Sequence, residues 1–451
     1  MQRDAALTFR DIHGSLEQFE KSLQEIESLA LIKQESPEIQ TTCKLRFLQI
    51  MQTVKGVSGQ PEIRLRLTTS EEFEGTEKYI AVSYTWDRSE PTSDADHLPK
   101  CMVYEAHRGV VLDSALDPEL MYLPTHIRSR YSTSQLRSPK CPDLVLRRTV
   151  QFALVNGINH LWIDQECINQ DDKVDVEAHL QCMHTIYARS LCTLAVLSCS
   201  LNGSLVANLS SFLHPASTEL DIDSTRKDYQ RVLRLISFIR SDRWFTRTWC
   251  FQEKFCGQDV HLLLKTQSDC TSENVGNFKA PSYEVALGLD HLIKAATRCY
   301  VALQLDPRST QLAWKGFAEP SWSTYREFPM HFGSFKELVD EVERCDNTVV
   351  SDRLAVLVNI WNLRYTLKTT TLNTSDKSYS TCLLLLLLRN GWLRRRYIHV
   401  AECGREQLRL EILDMDIWQI LKRAWNNPRR ACLEYDVEGN ELQYLFRHHR
   451  E

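Results

Sequence analysis

No apolar run in this chain is long enough to cross a bilayer. The longest, Cys382 to Leu388 with six consecutive leucines, falls far short of the roughly 20 residues a spanning helix needs, so it reads as a buried helix or strand. The opening residues, Met1-Gln-Arg-Asp-Ala-Ala, lack the apolar core of a secretory signal. Neither end carries a lipidation motif. No C-x-x-C pair occurs among the fifteen cysteines. An odd, scattered set without a secretory signal points to reduced, mostly buried thiols and a cytoplasmic protein. There is no basic surplus either. Lys and Arg number 54 against 59 Asp and Glu, a formal charge of −5, which argues against a dedicated nucleic-acid binder. Internal repeats are absent.

What is present is a globular chain. Its 451 residues exceed one ordinary core and predict two or three domains. Leu16, Phe19, Leu23, Ile26 and Ala30 recur at three- and four-residue steps, the spacing of an amphipathic helix. Cys43–Ile50 and Ile63–Leu67 alternate apolar and polar residues and read as two strands. These elements form an N-terminal helix and β-hairpin extension over residues 1–74. Tyr79–Tyr84, Leu161–Ile163 and Leu191–Leu197 read as strands, separated by helices over Asp143–Asn156 and Asp175–Arg189. That alternation predicts an α/β domain with a parallel sheet flanked by helices.

Between these elements, Asp87 to Pro142 reads as a loop, including the serine-rich basic stretch from Arg128 to Lys140, and so do residues 199–230. A helix over Val232–Arg240 closes the central domain, residues 75–258. Beyond it, Leu354, Leu357, Val358, Trp361 and Tyr365 mark a helix, and Thr369–Thr381 reads as loop. Leu408–Trp425 reads as a helix and Tyr435–Phe446 as a hairpin. Residues 259–451 are therefore expected to be a mostly helical C-terminal accessory domain.

The densest chemistry lies in Arg243-Trp-Phe-Thr-Arg-Thr-Trp-Cys-Phe-Gln-Glu253-Lys-Phe255. A helix beginning near Phe245 would put Trp249 and Glu253 four apart on one face. An aromatic beside a lone carboxylate can hold a ring and stabilise developing positive charge. A core helix with a surface glutamate is the plainer alternative.

Three segments, in order, resemble the fungal heterokaryon-incompatibility (HET) domain: Tyr79-Ile-Ala-Val-Ser-Tyr-Thr-Trp86, Leu161-Trp-Ile-Asp-Gln-Glu-Cys-Ile-Asn-Gln-Asp-Asp172, and Arg243 to Glu253. Met183, Ile186, Tyr187 and Ala188 also stand at expected positions. Asp87 stands where the family usually has glycine, and Asp175 where it usually has glutamate. HET domains are in turn distantly similar to TIR domains, and Trp249-Cys-Phe-Gln-Glu253 looks like the TIR pattern W-C-x-x-E. The resemblance implies a TIR-like, flavodoxin-like parallel sheet flanked by helices. It also implies a role in non-self recognition and regulated cell death, and self-association or a partner protein as trigger.

By the same match, Glu253 is the candidate catalytic residue for cleaving NAD, which would be a substrate rather than a cofactor. Nicotinamide leaves NAD as a neutral molecule and needs no general acid, so one carboxylate steadying the oxocarbenium-like transition state can suffice. Trp249 or Trp86 would stack on a ring. Arg243 or Arg247 would meet the pyrophosphate. Tyr84, Trp86 and Asp164 fall at the C-terminal ends of strands, where an open α/β sheet usually binds ligand.

A non-catalytic interaction module is the competing expectation. A cysteine hydrolase built on Cys167 would need His160 or His179 as base. Asp164 would otherwise cap the turn after its strand. Asp171-Asp172 reads as a solvated turn, without the ligand spacing of a metal site. His184 reads as a core histidine, and Arg394-Arg-Arg396 as a solvated face.

Overall fold

The computed structural model describes residues 1, 3–33, 45–55, 61–68, 78–86, 98–104, 136–206, 222–267, 273–275, 278–303, 335–391 and 412–425. The chain forms two compact units, residues 1–31 with 376–451, and residues 32–375. The sequence-drawn boundaries near residues 74 and 258 both fall inside the second unit.

In the first unit the expected amphipathic helix spans Leu16–Ala30. Ser15 caps it, and Phe19, Ile26 and Ala30 are buried. The leucine run lies in the helix Tyr379–Arg389, buried from Tyr379 to Leu387 and capped by Ser378. This helix starts inside the stretch Thr369–Thr381 that the sequence reads as loop. Asp4 Oδ1 anchors the helix start by accepting from the Ser380 N–H at 3.0 Å and the Ser380 hydroxyl at 2.9 Å. Ile417–Trp425 is helical. The expected hairpin at Tyr435–Phe446 and the Arg394–Arg396 run lie outside the described residues.

The second unit is built on one sheet. Its strands are β1 (Leu48–Lys55), β2 (Pro61–Leu67), β3 (Tyr79–Ser83), β4 (Lys100–Tyr104), β5 (Leu136–Arg137), β6 (His160–Trp162), β7 (Cys192–Leu201), β8 (Val260–Thr266), β9 (Glu273–Val275) and β10 (Glu284–Gly288). They lie in the order β9-β10-β8-β7-β3-β6-β1-β2-β4-β5. At the centre β6, β3, β7 and β8 run parallel. Every residue of β3 and β6 is buried, as strands covered by helices on both faces should be.

The expected parallel sheet is found at the centre of a larger, mixed one. The β1/β2 hairpin joins it, with β1 antiparallel to β6, and β10 runs antiparallel to β8. A hairpin needs no crossover helix, so it can extend a parallel core from its edge. The strands β8 and β10 also show that the region after residue 258 begins in the sheet. Their short apolar runs, Leu262–Leu264 and Val285–Leu287, carry no period that separates strand from helix. The expected loop from Asp87 to Pro142 likewise contributes β4 and β5.

The helices of this unit are α1 (Asp143–Val155), α2 (Lys173–Arg189), α3 (Ile222–Arg240), α4 (Thr248–Cys256), α5 (Leu289–Leu303), α6 (Phe335–Arg344) and α7 (Asp352–Trp361). Gly157, at φ +69°, follows α1 in the left-handed conformation that ends many helices. A 3-10 turn over Arg243–Thr246 precedes α4, and Asp242 caps it through the Trp244 N–H. The helix starts at Thr248, not near Phe245, because Arg247 is extended (φ −81°, ψ 135°) and its backbone bridges to Asp346. Among the described residues no helix is long and apolar enough to cross a membrane.

Candidate functional site

Glu253 sits on α4 at 4% exposure. The Ser83 hydroxyl, at the C-terminal end of β3, donates to Glu253 Oε2 in a short bond. Ser83 is held in turn: the Trp244 indole N–H donates to its Oγ at 2.6 Å. The Tyr187 hydroxyl, from α2, donates to the Val82 carbonyl oxygen at 3.1 Å and favours the ionised carboxyl. Ser83, Trp244 and Tyr187 are all buried. Burial pushes Glu253 up to about 8, against the stabilising bonds from Ser83 and Tyr187. Asp164 adds repulsion, and Arg247 acts in the opposite sense. A carboxyl buried among hydroxyls, with its ionisation displaced toward neutral pH, is a recurrent mark of functional sites.

A second cluster surrounds Asp164, the first residue of the one-turn helix Asp164–Cys167 that follows β6. The Tyr84 hydroxyl donates to its Oδ1 at 2.8 Å, and the Gln165 N–H donates to the same oxygen at 2.7 Å. The Trp86 indole N–H donates to Oδ2 at 2.9 Å. Asp164 is not the cap of its turn, which starts from Ile163 without a side-chain cap; it holds the edge of Trp86, a residue that remains 49% exposed. Burial raises the pKa of Asp164, and the bonds from Tyr84, Gln165 and Trp86 oppose that rise. Burial, then the neighbouring Asp164, raises the Tyr84 phenol.

The two clusters meet at the end of β3. Ser83 feeds the inner one, and Tyr84 and Trp86 feed the outer one. In the parallel core β3 has β6 on one side and β7 on the other. Its C-terminal end is where successive crossovers leave in opposite directions, the position at which α/β sheets open a ligand crevice.

The remaining predicted residues lie around this centre. The Trp249 N–H donates to Asp352 Oδ2 at 2.8 Å, and its ring packs against the main core. Arg247 is half-buried and favours the ionised forms of both Glu253 and Asp352. Arg243 is exposed at the first position of the 3-10 turn. Asp352, at the start of α7, is pushed up to about 6 by burial, opposed by the Trp249 bond.

The alternatives fare differently. Burial drives the Cys167 thiol up to about 12. Its sulfur accepts from the Ile163 N–H at 3.4 Å and donates to the Leu161 carbonyl oxygen at 3.9 Å, the setting of an inert core thiol. Asp172 caps α2 through the Val174 N–H at 2.9 Å. Asp175 accepts from the Asn169 N–H at 2.7 Å and pairs with Arg46. It holds the turn after Cys167 although it is one methylene shorter than glutamate. His184 is half-buried, and burial lowers its pKa.

Sequence reasoning did not select Ser83, Trp244, Tyr187 or Asp352 as site residues. Ser83 did carry a signal. It is the one polar residue in Tyr79-Ile-Ala-Val-Ser83, and a hydroxyl in a strand buried on both faces needs a partner.

Fold and site thus define an α/β domain with a buried acid and a half-exposed indole at the C-terminal ends of its parallel strands. Residues 79–253 match the family described as Heterokaryon incompatibility protein (HET). No curated protein and no solved structure matches the chain.

Proposed function

We propose that this chain acts in fungal non-self recognition and regulated cell death by TIR-like cleavage of NAD at its HET domain. The observation that carries this reading is the Glu253 carboxyl, buried at the ligand end of the parallel strands and held by hydroxyls in place of a matched cation. At about 8 the resting group is largely neutral at pH 7. A bound pyridinium cation beside it would favour the ionised form, so the substrate itself would switch the acid on. The carboxylate then stabilises positive charge growing on the ribose as the bond from C1′ to the nicotinamide nitrogen breaks. The electron pair leaves with nicotinamide, and water adds its oxygen to C1′ and releases one proton to solvent.

In this arrangement Trp86 offers a ring face, with Asp164 and Tyr84 fixing its angle. Arg247, and Arg243 at the turn, supply cations for the pyrophosphate. Self-association or a partner protein would provide the trigger.

The closure of Glu253 at 4% exposure favours a second reading, a non-catalytic interaction module in which the Glu253 cluster packs α4 onto the sheet. Expression of the chain in cells, with NAD and viability followed together, separates the two. Catalysis predicts NAD loss before death and neither with Glu253→Gln. A folded Glu253→Gln protein that kills equally well leaves the interaction module.

A further inference from the structure

Ser83 has one proton to give and two lone pairs, and the structure places Trp244 and Glu253 against its oxygen. The Trp244 N–H occupies a lone pair of the Ser83 oxygen at 2.6 Å, and the Ser83 hydroxyl points to Glu253 Oε2. Tyr187 is committed elsewhere: its hydroxyl donates to the Val82 carbonyl oxygen at 3.1 Å. While Glu253 is neutral, the Ser83 oxygen can accept the carboxyl proton on its second lone pair; once Glu253 ionises, the Ser83 hydroxyl donates to it. The Trp244 N–H holds the Ser83 oxygen in place in both states.

We propose that Ser83, oriented by Trp244, is the positioning residue that holds Glu253 ready to ionise when a cationic substrate arrives. The inference rests on the NAD reading above. The hydroxyl acts through the acid and does not touch the reacting atoms. Its placement suits this role, since β3 is the central parallel strand and cannot shift without the sheet, whereas Glu253 rides on a helix. The groups that face Glu253 are Ser83 from β3, Tyr187 from α2, Asp164 from the turn after β6, and Arg247, Cys250 and Cys256 from α4 and its start. Ser83 is hydrogen-bonded to the carboxyl, and the Trp244 N–H holds its oxygen in place.

The test compares Ser83→Val with Ser83→Thr, which have the same shape and differ by the hydroxyl. Wild type, both variants and Trp244→Phe are assayed for NAD cleavage from pH 6 to pH 9. Removing the donor should shift the ionisation midpoint of Glu253 upward by about one unit, a roughly ten-fold loss at neutral pH. Ser83→Thr should keep the wild-type midpoint. Trp244→Phe, which frees the Ser83 hydroxyl to turn away, should shift it in the same direction as Ser83→Val. A Ser83→Val enzyme with the wild-type midpoint overturns the proposal.

A second readout needs no activity: urea unfolding across the same pH range, with Glu253→Gln as reference. The titration assigned to Glu253 should move to higher pH in Ser83→Val and stay in place in Ser83→Thr. Coincident titrations overturn the Ser83 inference. Absence of NAD cleavage by wild type under forced clustering instead overturns the NAD reading, and the unfolding series still decides what Ser83 does to the acid.

Discussion

The indole N–H of Trp249 donates to Asp352 Oδ2 at 2.8 Å, tying the helix that carries Glu253 to α7, which lies beyond the HET match. Asn359 Nδ2, from the same helix, donates to Gln252 Oε1 at 3.2 Å. Just before α7, the Asp346 N–H donates to the Thr246 carbonyl oxygen at 2.6 Å, and the Thr248 N–H donates to that of Asp346 at 3.2 Å. The acid-bearing helix is thus fastened from outside its own domain match. Trp249→Phe should cost about 1–3 kcal/mol, because it leaves a buried carboxyl without its donor. Urea unfolding measures it. Asp352→Asn keeps an acceptor and should cost less.

Asp352 also predicts a pH dependence. Burial raises it from 3.8 to about 6, so the folded state holds its proton where the unfolded chain has released it. Its contribution to stability is present below about pH 4 and is lost as pH rises through about 6. The same urea series run from pH 4 to pH 7 should show this fall in wild type and a shallower one in Asp352→Asn.

Glu253 extends that fall to higher pH. Its ionisation is raised from 4.5 to about 8, so its contribution is present below about pH 4.5 and declines as pH rises through about 8. The slope approaches about 1.4 kcal/mol per pH unit within that window. Glu253→Gln should flatten the stability profile there. An unchanged profile would mean that the carboxyl is solvated.

Away from the site, Arg148 and Glu284 form a buried pair joining α1 to β10. Arg148 Nε donates to Oε1 at 2.5 Å and its Nη2 to Oε2 at 2.9 Å. The guanidinium also donates to the carbonyl oxygens of Leu197 and Leu263 at 2.6 and 3.0 Å. Arg148→Met should destabilise the fold by about 3–5 kcal/mol, because Glu284 would be left as an unpaired buried charge. Thermal and urea unfolding check it.

Trp86 should behave in the opposite way. Its ring is half-exposed, so Trp86→Ala should cost only about 1 kcal/mol, for the bond to Asp164 Oδ2, while the NAD reading predicts a raised KM for NAD. Trp86→Phe should recover part of the loss, because it keeps a ring face but not the bond to Asp164. Steady-state kinetics on folded variants gives the answer.

The sequence made some of this legible and hid the rest for physical reasons. The parallel core could be read because Tyr79–Ser83 and Leu191–Leu197 are apolar runs separated by helical periods. Glu253, Asp164, Tyr84 and Trp86 stand in motifs, which is why the sequence singles them out, and the structure brings them together at the end of β3. The sheet beyond residue 258 could not, since Leu262–Leu264 is too short to show a period. The Trp249–Asp352 bond could not either, because the two residues are far apart in the chain. The sequence offers Trp249 and Trp86 alike, but their settings differ: Trp249 packs against the core, and Trp86 is half-exposed with its N–H on Asp164.

The most direct measurement is NAD consumption by the purified 451-residue chain, free and artificially clustered, beside Glu253→Gln. The account predicts nicotinamide release by the clustered wild type, and at least a hundred-fold less from a Glu253→Gln protein of unchanged fold, about the size expected when a principal transition-state contact is removed. Equal release by both proteins, or none from the clustered wild type, would contradict it.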